Sequence, residues 1–225
     1  MENTLKICFN GFEATVIRPE NPNGKWIWKT EFLYAFDKAE VALVQEGYTR
    51  VYYSISNKYG SYNAVRLMYK FYRFIVKELS LDKKCTLFGF SRGGLYAFNF
   101  ALFYPDCVEK VYLDAPVLDM KTWPKKGSIE YEQMLEEYGL NDDTLQTFKG
   151  NPIDNLEEFF ALDIPLLIVA GGSDEVVPFP KNSGIVIEYC KNNSLPLQSI
   201  VKPDCKHHPH SLGDVAPIVR FVKGE

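Results

Sequence analysis

The chain has 225 residues, 46% of them apolar, and a formal net charge of −4, which suits one globular domain over 1-225. This near balance of charge is not that of a protein that binds nucleic acid or an anionic membrane, so we expect neither partner. No apolar run approaches the roughly 20 residues of a transmembrane helix. Residues 1–6 lack the basic and apolar parts of a secretion signal, which predicts a cytoplasmic protein.

Five widely spaced cysteines agree with that location. Their number is odd, and no C-x-x-C pair or zinc-type spacing is present. We therefore expect reduced thiols rather than a disulfide framework.

The first half of the chain alternates between strand and helix patterns after an opening hairpin. Two strand-like segments, 5–9 and 12–18, flank the turn signal Asn10-Gly11. Further strands are predicted at 25–29, 50–55, 84–88 and 108–113, with helices at 37–46 and, capped by Ser61, at 61–79. This order predicts an α/β fold with a mostly parallel central sheet, helices on both faces and an N-terminal antiparallel hairpin.

Two more strands are predicted in the second half, at 164–170 and 197–201. The segment 117–163 lies between the strands 108–113 and 164–170. It contains a helix from Ser128 to Tyr138 and a shorter helical segment from Asp142. These elements are too few for a cap domain. We therefore expect a short partial lid over an open cleft that admits a bulky or polymeric substrate.

The motif Gly89-Phe90-Ser91-Arg92-Gly93 lies between the predicted strand 84–88 and an apolar helix that Pro105 ends. Strand, G-x-S-x-G and helix form the nucleophile elbow of the α/β-hydrolases. The turn is sharp, and a Cβ on either flanking residue would collide with the neighbouring strand or helix. A plain helix cap at Ser91 would not need these glycines.

An acid and a base follow the later strands. Asp174 follows the strand 164–170, and His207 follows the last strand. The chain order Ser, Asp, His is that of the α/β-hydrolase triad. Asp174 is placed just after the end of a strand and is followed by a proline. The competing acids do not combine these two features: Asp163, Glu175 and Asp119.

Over nearly its whole length the chain resembles a small α/β-hydrolase. The run Asp174 to Pro178 is similar to the family's acid loop, and His207 to His210 resembles its His-aromatic-Pro-His run. The resemblance implies that Ser91 is the nucleophile, Asp174 the orienting acid and His207 the base. Lys206 replaces the usual glycine before that base, so His208 and His210 stay open as alternatives. Residues 26–32 and 114–116 resemble bacterial members associated with carbohydrate breakdown.

The remaining site residues are assigned from position. The backbone amides of Arg92 and Thr30 are expected to form the oxyanion hole, because one donor follows the nucleophile and the other follows the third strand. Substrate contacts are predicted from the aromatic side chains of Trp28 and Trp123 and from His208 and His210. The H-H and H-x-x-H spacings also allow a metal site, but no cysteine or carboxylate cluster accompanies them, so we expect no metal and no cofactor.

The function expected from the sequence is therefore hydrolysis of a carboxylic ester by a serine acyl-enzyme mechanism. The candidate substrates are acylated carbohydrates, whether small molecules or oligosaccharides, and hydroxycinnamoyl esters. Two alternatives stay open: a serine peptidase of the same fold, and an inactive hydrolase fold that serves as a binding module. The oligomeric state is not indicated.

Overall fold

The fold is built on a central sheet of eight strands within residues 3–225, the part of the chain that the computed structural model describes. Met1 and Glu2, part of the segment inspected for a secretion signal, lie outside the described residues. The strands are β1 (Asn3–Phe9), β2 (Phe12–Arg18), β3 (Trp26–Lys29), β4 (Thr49–Tyr53), β5 (Cys85–Phe90), β6 (Val108–Asp114), β7 (Leu166–Gly171) and β8 (Gln198–Lys202). Their spatial order is β1-β2-β4-β3-β5-β6-β7-β8.

The strands β3 to β8 are mutually parallel, whereas β2 runs antiparallel to both β1 and β4. The hairpin between β1 and β2 turns through Asn10 and Gly11, whose φ angles of 48° and 82° are both positive. Positive φ angles at both central residues define a type I′ turn, whose twist matches that of the flanking strands. The predicted fold class, a mostly parallel sheet with an antiparallel hairpin, is confirmed.

The described residues form eight α-helices. They are α1 (Lys38–Gln45), α2 (Tyr62–Leu79), α3 (Gly93–Phe103), α4 (Ile129–Tyr138), α5 (Asp142–Thr147), α6 (Leu156–Phe160), α7 (Ser183–Asn193) and α8 (Ala216–Lys223). Of these, α2, α3, α6 and α7 pack on one face of the sheet and α1 and α8 on the other. The helix α2 begins after Ser61, whose Oγ accepts a hydrogen bond of 3.1 Å from the Ala64 amide. None of the helices between residues 3 and 225 has the length and apolar character needed to cross a membrane.

Successive residues of the central strands face two apolar cores, one on each face of the sheet. Leu87 of β5 and Ile168 of β7 face the larger core, which contains side chains of α2, α3, α6 and α7. Phe88 and Val169, their neighbours in sequence, face the smaller core beneath α1 and α8. Because the central strands are buried on both faces, they read as continuous apolar runs rather than as alternating ones.

The segment 117–163 packs as a third, smaller apolar cluster. Tyr131 and Met134 of α4, together with Leu145 of α5, are buried against Tyr59 and Leu95. Leu95 lies in the first turn of α3, next to the elbow. That this segment acts as a lid stays a prediction.

Substituting Gly89 tests how tightly the strand β5 and the helix α3 are packed. In Gly89→Ala the new Cβ would lie 2.9 Å from each of the Ala97 Cβ, the Gly93 carbonyl oxygen and the Leu113 Cδ2. We expect a loss of about 2 kcal/mol in the free energy of unfolding, equivalent to a Tm lower by roughly 4–8 °C. Thermal unfolding followed by circular dichroism measures this shift.

The matched control is Gly213→Ala, where an added Cβ has no atom within 4 Å. Its Tm should stay within about 2 °C of the parent, since surface substitutions away from special features have small effects. Equal Tm values for the two variants would contradict the packing argument.

Candidate active site

The turn between β5 and α3 presents Ser91 at the carboxyl edge of the sheet. Ser91 has a φ of 50°, a left-handed conformation that non-glycine residues adopt at an energetic cost. Its amide donates a 2.9 Å hydrogen bond to the carbonyl of Asp114, and its own carbonyl accepts from the Gly94 amide. An added Cβ on Gly93 would lie 2.8 Å from Thr30 Oγ1. Both glycines of the motif are therefore required by contacts.

Ser91, His207 and Asp174 form a continuous hydrogen-bonded chain. The Ser91 Oγ lies 3.0 Å from His207 Nε2, and His207 Nδ1 lies 2.7 Å from Asp174 Oδ2. All three residues are less than 10% exposed. They follow β5, β8 and β7, three parallel strands whose carboxyl ends lie at the same edge of the sheet, with β6 between β5 and β7.

The carboxylate of Asp174 is oriented by its own loop. Its Oδ1 accepts hydrogen bonds of 2.9 Å from the amides of Val176 and Val177, which leaves Oδ2 directed at the imidazole. The competing acid Asp119 instead accepts from the Lys121 amide within its own loop. Among the three histidines, His207 is the one bonded to Ser91.

The Thr30 amide is not an oxyanion donor, and the sequence prediction was wrong at this point. That amide donates a 3.0 Å hydrogen bond to the Phe88 carbonyl, which extends the pairing between β3 and β5 by one residue. The Thr30 hydroxyl donates in turn to the carbonyls of Phe88 and Gly93. The next amide along the loop belongs to Glu31, and its nitrogen lies 3.5 Å from the position of a Cβ on Gly93.

Trp28 does not reach the cleft, so the prediction that it contacts substrate was also wrong. Its side chain is 1% exposed and packs edge-on against Phe71 and Phe100 in the larger core. Trp123 is half-buried, with its ring centroid 6.5 Å from that of Tyr59. A contact between Trp123 and substrate stays a prediction.

An ion pair beside Ser91 was missed by the sequence analysis. The buried Glu31 carboxylate accepts a 3.0 Å hydrogen bond from Ser56 Oγ, and its Oε2 lies 3.4 Å from Arg92 Nη2. Burial raises the pKa of Glu31, and the nearby Arg92 guanidinium opposes that rise. The guanidinium also lies 5.2 Å from the centroid of the Phe32 ring. No pattern in the sequence indicated an ion pair between Glu31 and Arg92, which lie 61 positions apart.

The other two histidines differ in environment. His210 is 6% exposed, and its Nδ1 lies 2.8 Å from Asp114 Oδ1. His208 is exposed and stacks on Phe36 with ring centroids 5.7 Å apart. Partial burial and the neighbouring imidazoles lower the pKa of His208. Contact of His208 and His210 with substrate stays a prediction.

Asp114 is a second residue beside the site to which the sequence analysis assigned no role. Its Oδ2 accepts hydrogen bonds from the Tyr112 hydroxyl at 2.6 Å and the Ser211 amide at 2.8 Å, while Oδ1 faces His210. This carboxylate therefore anchors the histidine loop. Its signal in the sequence was its position at the end of a buried strand.

One group of side chains in residues 3–225 has the composition and spacing of a metal site. His207, His208 and His210 each offer a ring nitrogen, and the three nitrogens lie within 4.8 Å of one another. The group includes the imidazole bonded to Ser91.

Reaction with a fluorophosphonate distinguishes the roles of two histidines. His207→Ala should slow the labelling of Ser91 by several orders of magnitude, because no other imidazole is bonded to its Oγ. His210→Asn keeps a side-chain amide that can donate to Asp114, and it should slow labelling by less than roughly tenfold. The rate of covalent modification, followed by mass spectrometry, measures both effects. A slow His210→Asn with a fast His207→Ala would reverse the assignment.

One protein family matches this chain. The model of the prolyl oligopeptidase family (Peptidase S9) matches residues 45–223. No curated protein was found to match the chain.

Three solved peptidases share the fold at low sequence identity. A puromycin-hydrolysing peptidase of Mycobacterium tuberculosis aligns at 14% identity and a TM-score of 0.70, covering 99% of this chain and 38% of that one. An acylaminoacyl peptidase of Pyrococcus horikoshii aligns at 12% identity and a TM-score of 0.66, covering 92% of this chain and 37% of that one. Dipeptidyl peptidase 4 of Porphyromonas gingivalis aligns at 14% identity and a TM-score of 0.65, covering 92% of this chain and 32% of that one.

The chain thus spans about a third of the length of these solved structures. The family match covers most of the chain, and the nucleophile elbow lies inside it. The chain belongs to the prolyl oligopeptidase family, a family of serine hydrolases with the α/β-hydrolase fold.

Proposed function

We propose that this chain is a serine peptidase that cleaves an amide bond in a short peptide or an aminoacyl amide. The observation that carries the proposal is the hydrogen-bonded chain Ser91–His207–Asp174 in a member of the prolyl oligopeptidase family. The three similar structures described above are all peptidases, which favours an amide over the carboxylic ester expected from the sequence. The same geometry makes an inactive binding module the weaker alternative.

Acylation begins at the Ser91 hydroxyl. His207 Nε2, 3.0 Å away, takes the proton as Oγ attacks the substrate carbonyl carbon. The contact between His207 Nδ1 and Asp174 keeps the proton on Nδ1, so that Nε2 is the acceptor, and it stabilises the imidazolium that forms. His207 then gives its proton to the leaving amine, and the C–N bond breaks. Water, deprotonated by His207, attacks the acyl carbonyl carbon; the bond from that carbon to Ser91 Oγ breaks, His207 returns the proton to Oγ, and the acid leaves.

The negative charge that develops on the carbonyl oxygen requires donors fixed in advance. The Arg92 amide, at the N-terminus of α3, is the first donor we assign. We assign the second to Glu31 rather than Thr30, because the Thr30 amide is already bonded to Phe88. The Glu31 nitrogen lies beside the start of α3, 3.5 Å from where a Cβ on Gly93 would stand, which supports that choice.

Ester hydrolysis is the second candidate, since the same triad chemistry serves an alcohol leaving group. The half-buried Trp123 beside Tyr59 offers an aromatic surface for a sugar ring, which is the observation that favours an acylated carbohydrate. An alcohol leaves more readily than an amine, so amide cleavage is the more demanding test.

Matched substrates distinguish the two functions. We expect a panel of aminoacyl and dipeptidyl aryl-amides to include members that the chain cleaves, and Ser91→Ala to lower kcat by several orders of magnitude. The same acyl groups carried as aryl esters, with acetylated and feruloylated sugars, form the comparison series. The release of the aryl leaving group, or of acid from the sugar esters, gives kcat/KM for each. Turnover of sugar esters without turnover of any amide would replace the peptidase proposal by the esterase.

A further inference from the structure

The loop after β8 places three imidazoles face to edge around one point. The ring centroids of His207, His208 and His210 lie 4.8–4.9 Å apart, with interplanar angles between 70° and 89°. One nitrogen from each ring lies within 4.8 Å of the other two. We propose that His207, His208 and His210 bind a single Zn²⁺ ion, and that this ion reversibly inhibits hydrolysis by occupying His207 Nε2. The inhibitory part rests on the proposed function.

The hydrogen bonds of two of the histidines leave the same nitrogen for the metal. His207 Nδ1 faces Asp174 Oδ2 at 2.7 Å, and His210 Nδ1 faces Asp114 Oδ1 at 2.8 Å. Each imidazole therefore donates its Nδ1 proton to a buried carboxylate and offers Nε2 as the ligand. Carboxylate–histidine–metal pairing of this kind orients the ring and raises its basicity in zinc sites. The two pairs are preorganised before any metal arrives.

The third ligand is free to adjust. His208 is exposed, and the contacts described for it are ring contacts with Phe36, His207 and His210. A zinc–imidazole bond is about 2.0–2.1 Å long, and tetrahedral ligands at that distance lie about 3.3–3.4 Å apart, so nitrogens now separated by up to 4.8 Å must approach one another by as much as about 1.5 Å. Rotation of the exposed His208 ring supplies much of that movement. Imidazole is a good ligand for Zn²⁺, and water fills the fourth position of the tetrahedron.

A metal in this position opposes serine catalysis. The Nε2 lone pair of His207 is the one that takes the Ser91 proton, and it lies 3.0 Å from Oγ. When that lone pair is bound to Zn²⁺, the base is occupied and Ser91 cannot be deprotonated by it. Removal of the ion by a chelator restores the lone pair, so the inhibition is reversible.

The composition of the chain makes the site easy to assign. Its sequence contains three histidines, and all of them lie in this cluster. The competing soft ligands are thiols, of which Cys8 is exposed and Cys205 is half-buried in the same loop. Cys205 Sγ lies 3.7 Å from the His208 carbonyl oxygen, which makes it the rival that the experiment must exclude.

Binding is measured first, without activity, on Ser91→Ala. Calorimetric titration with Zn²⁺ and absorption titration with Co²⁺ should each give one site per chain, with a Co²⁺ spectrum of nitrogen and oxygen ligands. In the Ser91→Ala background, His208→Ala should weaken binding by roughly tenfold or more, an effect of the size that perturbing a metal site commonly has. Cys8→Ser and Cys205→Ser are the matched controls and should leave the affinity unchanged.

Inhibition is measured on the parent chain as the rate at which a fluorophosphonate labels Ser91, a readout that needs no knowledge of the substrate. Saturating Zn²⁺ should slow labelling at least tenfold, excess EDTA should restore it, and His208→Ala should require more Zn²⁺ relative to its own metal-free rate. Absence of a site up to millimolar metal, a thiolate-type Co²⁺ spectrum abolished by Cys205→Ser, or unchanged affinity in His208→Ala would each overturn the site. Tight binding that leaves the labelling rate unaffected would overturn the inhibition. Normal labelling without amide cleavage would count against the peptidase proposal alone.

Discussion

The close approach of helix α3 to the sheet at Ser91 is the constraint on which the rest of the site depends. Ser91 is held at a φ of 50° between Gly89 and Gly93, and a Cβ on either glycine would lie within 3.0 Å of a neighbouring atom. Such strain persists only where the surrounding structure over-determines it. Here the strain places Oγ at the carboxyl edge of the sheet. The loops after β7 and β8 must then reach that one point.

A buried ion pair holds the loop after β3, the loop that lies next to Gly93 at the start of α3. Lys29, the last residue of β3, is fully buried, pairs with Glu40 of α1, and donates to the Ala35 carbonyl at 3.3 Å. Burial lowers the pKa of Lys29, while Glu40 opposes this shift. The loop that carries the Glu31 amide is therefore tied back to the fold at Ala35. Removing one partner of such a pair leaves an uncompensated buried charge, which is strongly destabilising.

Much of the fold, and the grouping of Ser91, His207 and Asp174 at one edge of the sheet, could be predicted from the sequence because both rest on local patterns. The Asn10-Gly11 turn, the buried strands and the glycines around Ser91 each have a local physical cause that the structure shows. The errors at Trp28 and Thr30 have another origin. A period of two places Trp26 and Trp28 on one face of β3, but it does not reveal that this face points into the larger core. Likewise, a strand pattern does not show that hydrogen bonding to β5 continues as far as the Thr30 amide.

Asp114 shows why the histidine loop and the nucleophile have to be considered together. Its backbone carbonyl accepts from the Ser91 amide, and its carboxylate accepts from the Ser211 amide and faces His210. One residue at the end of β6 therefore holds the elbow on one side and the histidine-bearing loop on the other. Asp174 holds His207 from β7 in the same way, so the two histidine–carboxylate pairs lie side by side. The His207 pair continues to Ser91, whereas the His210 pair ends at Asp114, so the proposed proton transfer falls to His207 and the anchoring of the loop to His210.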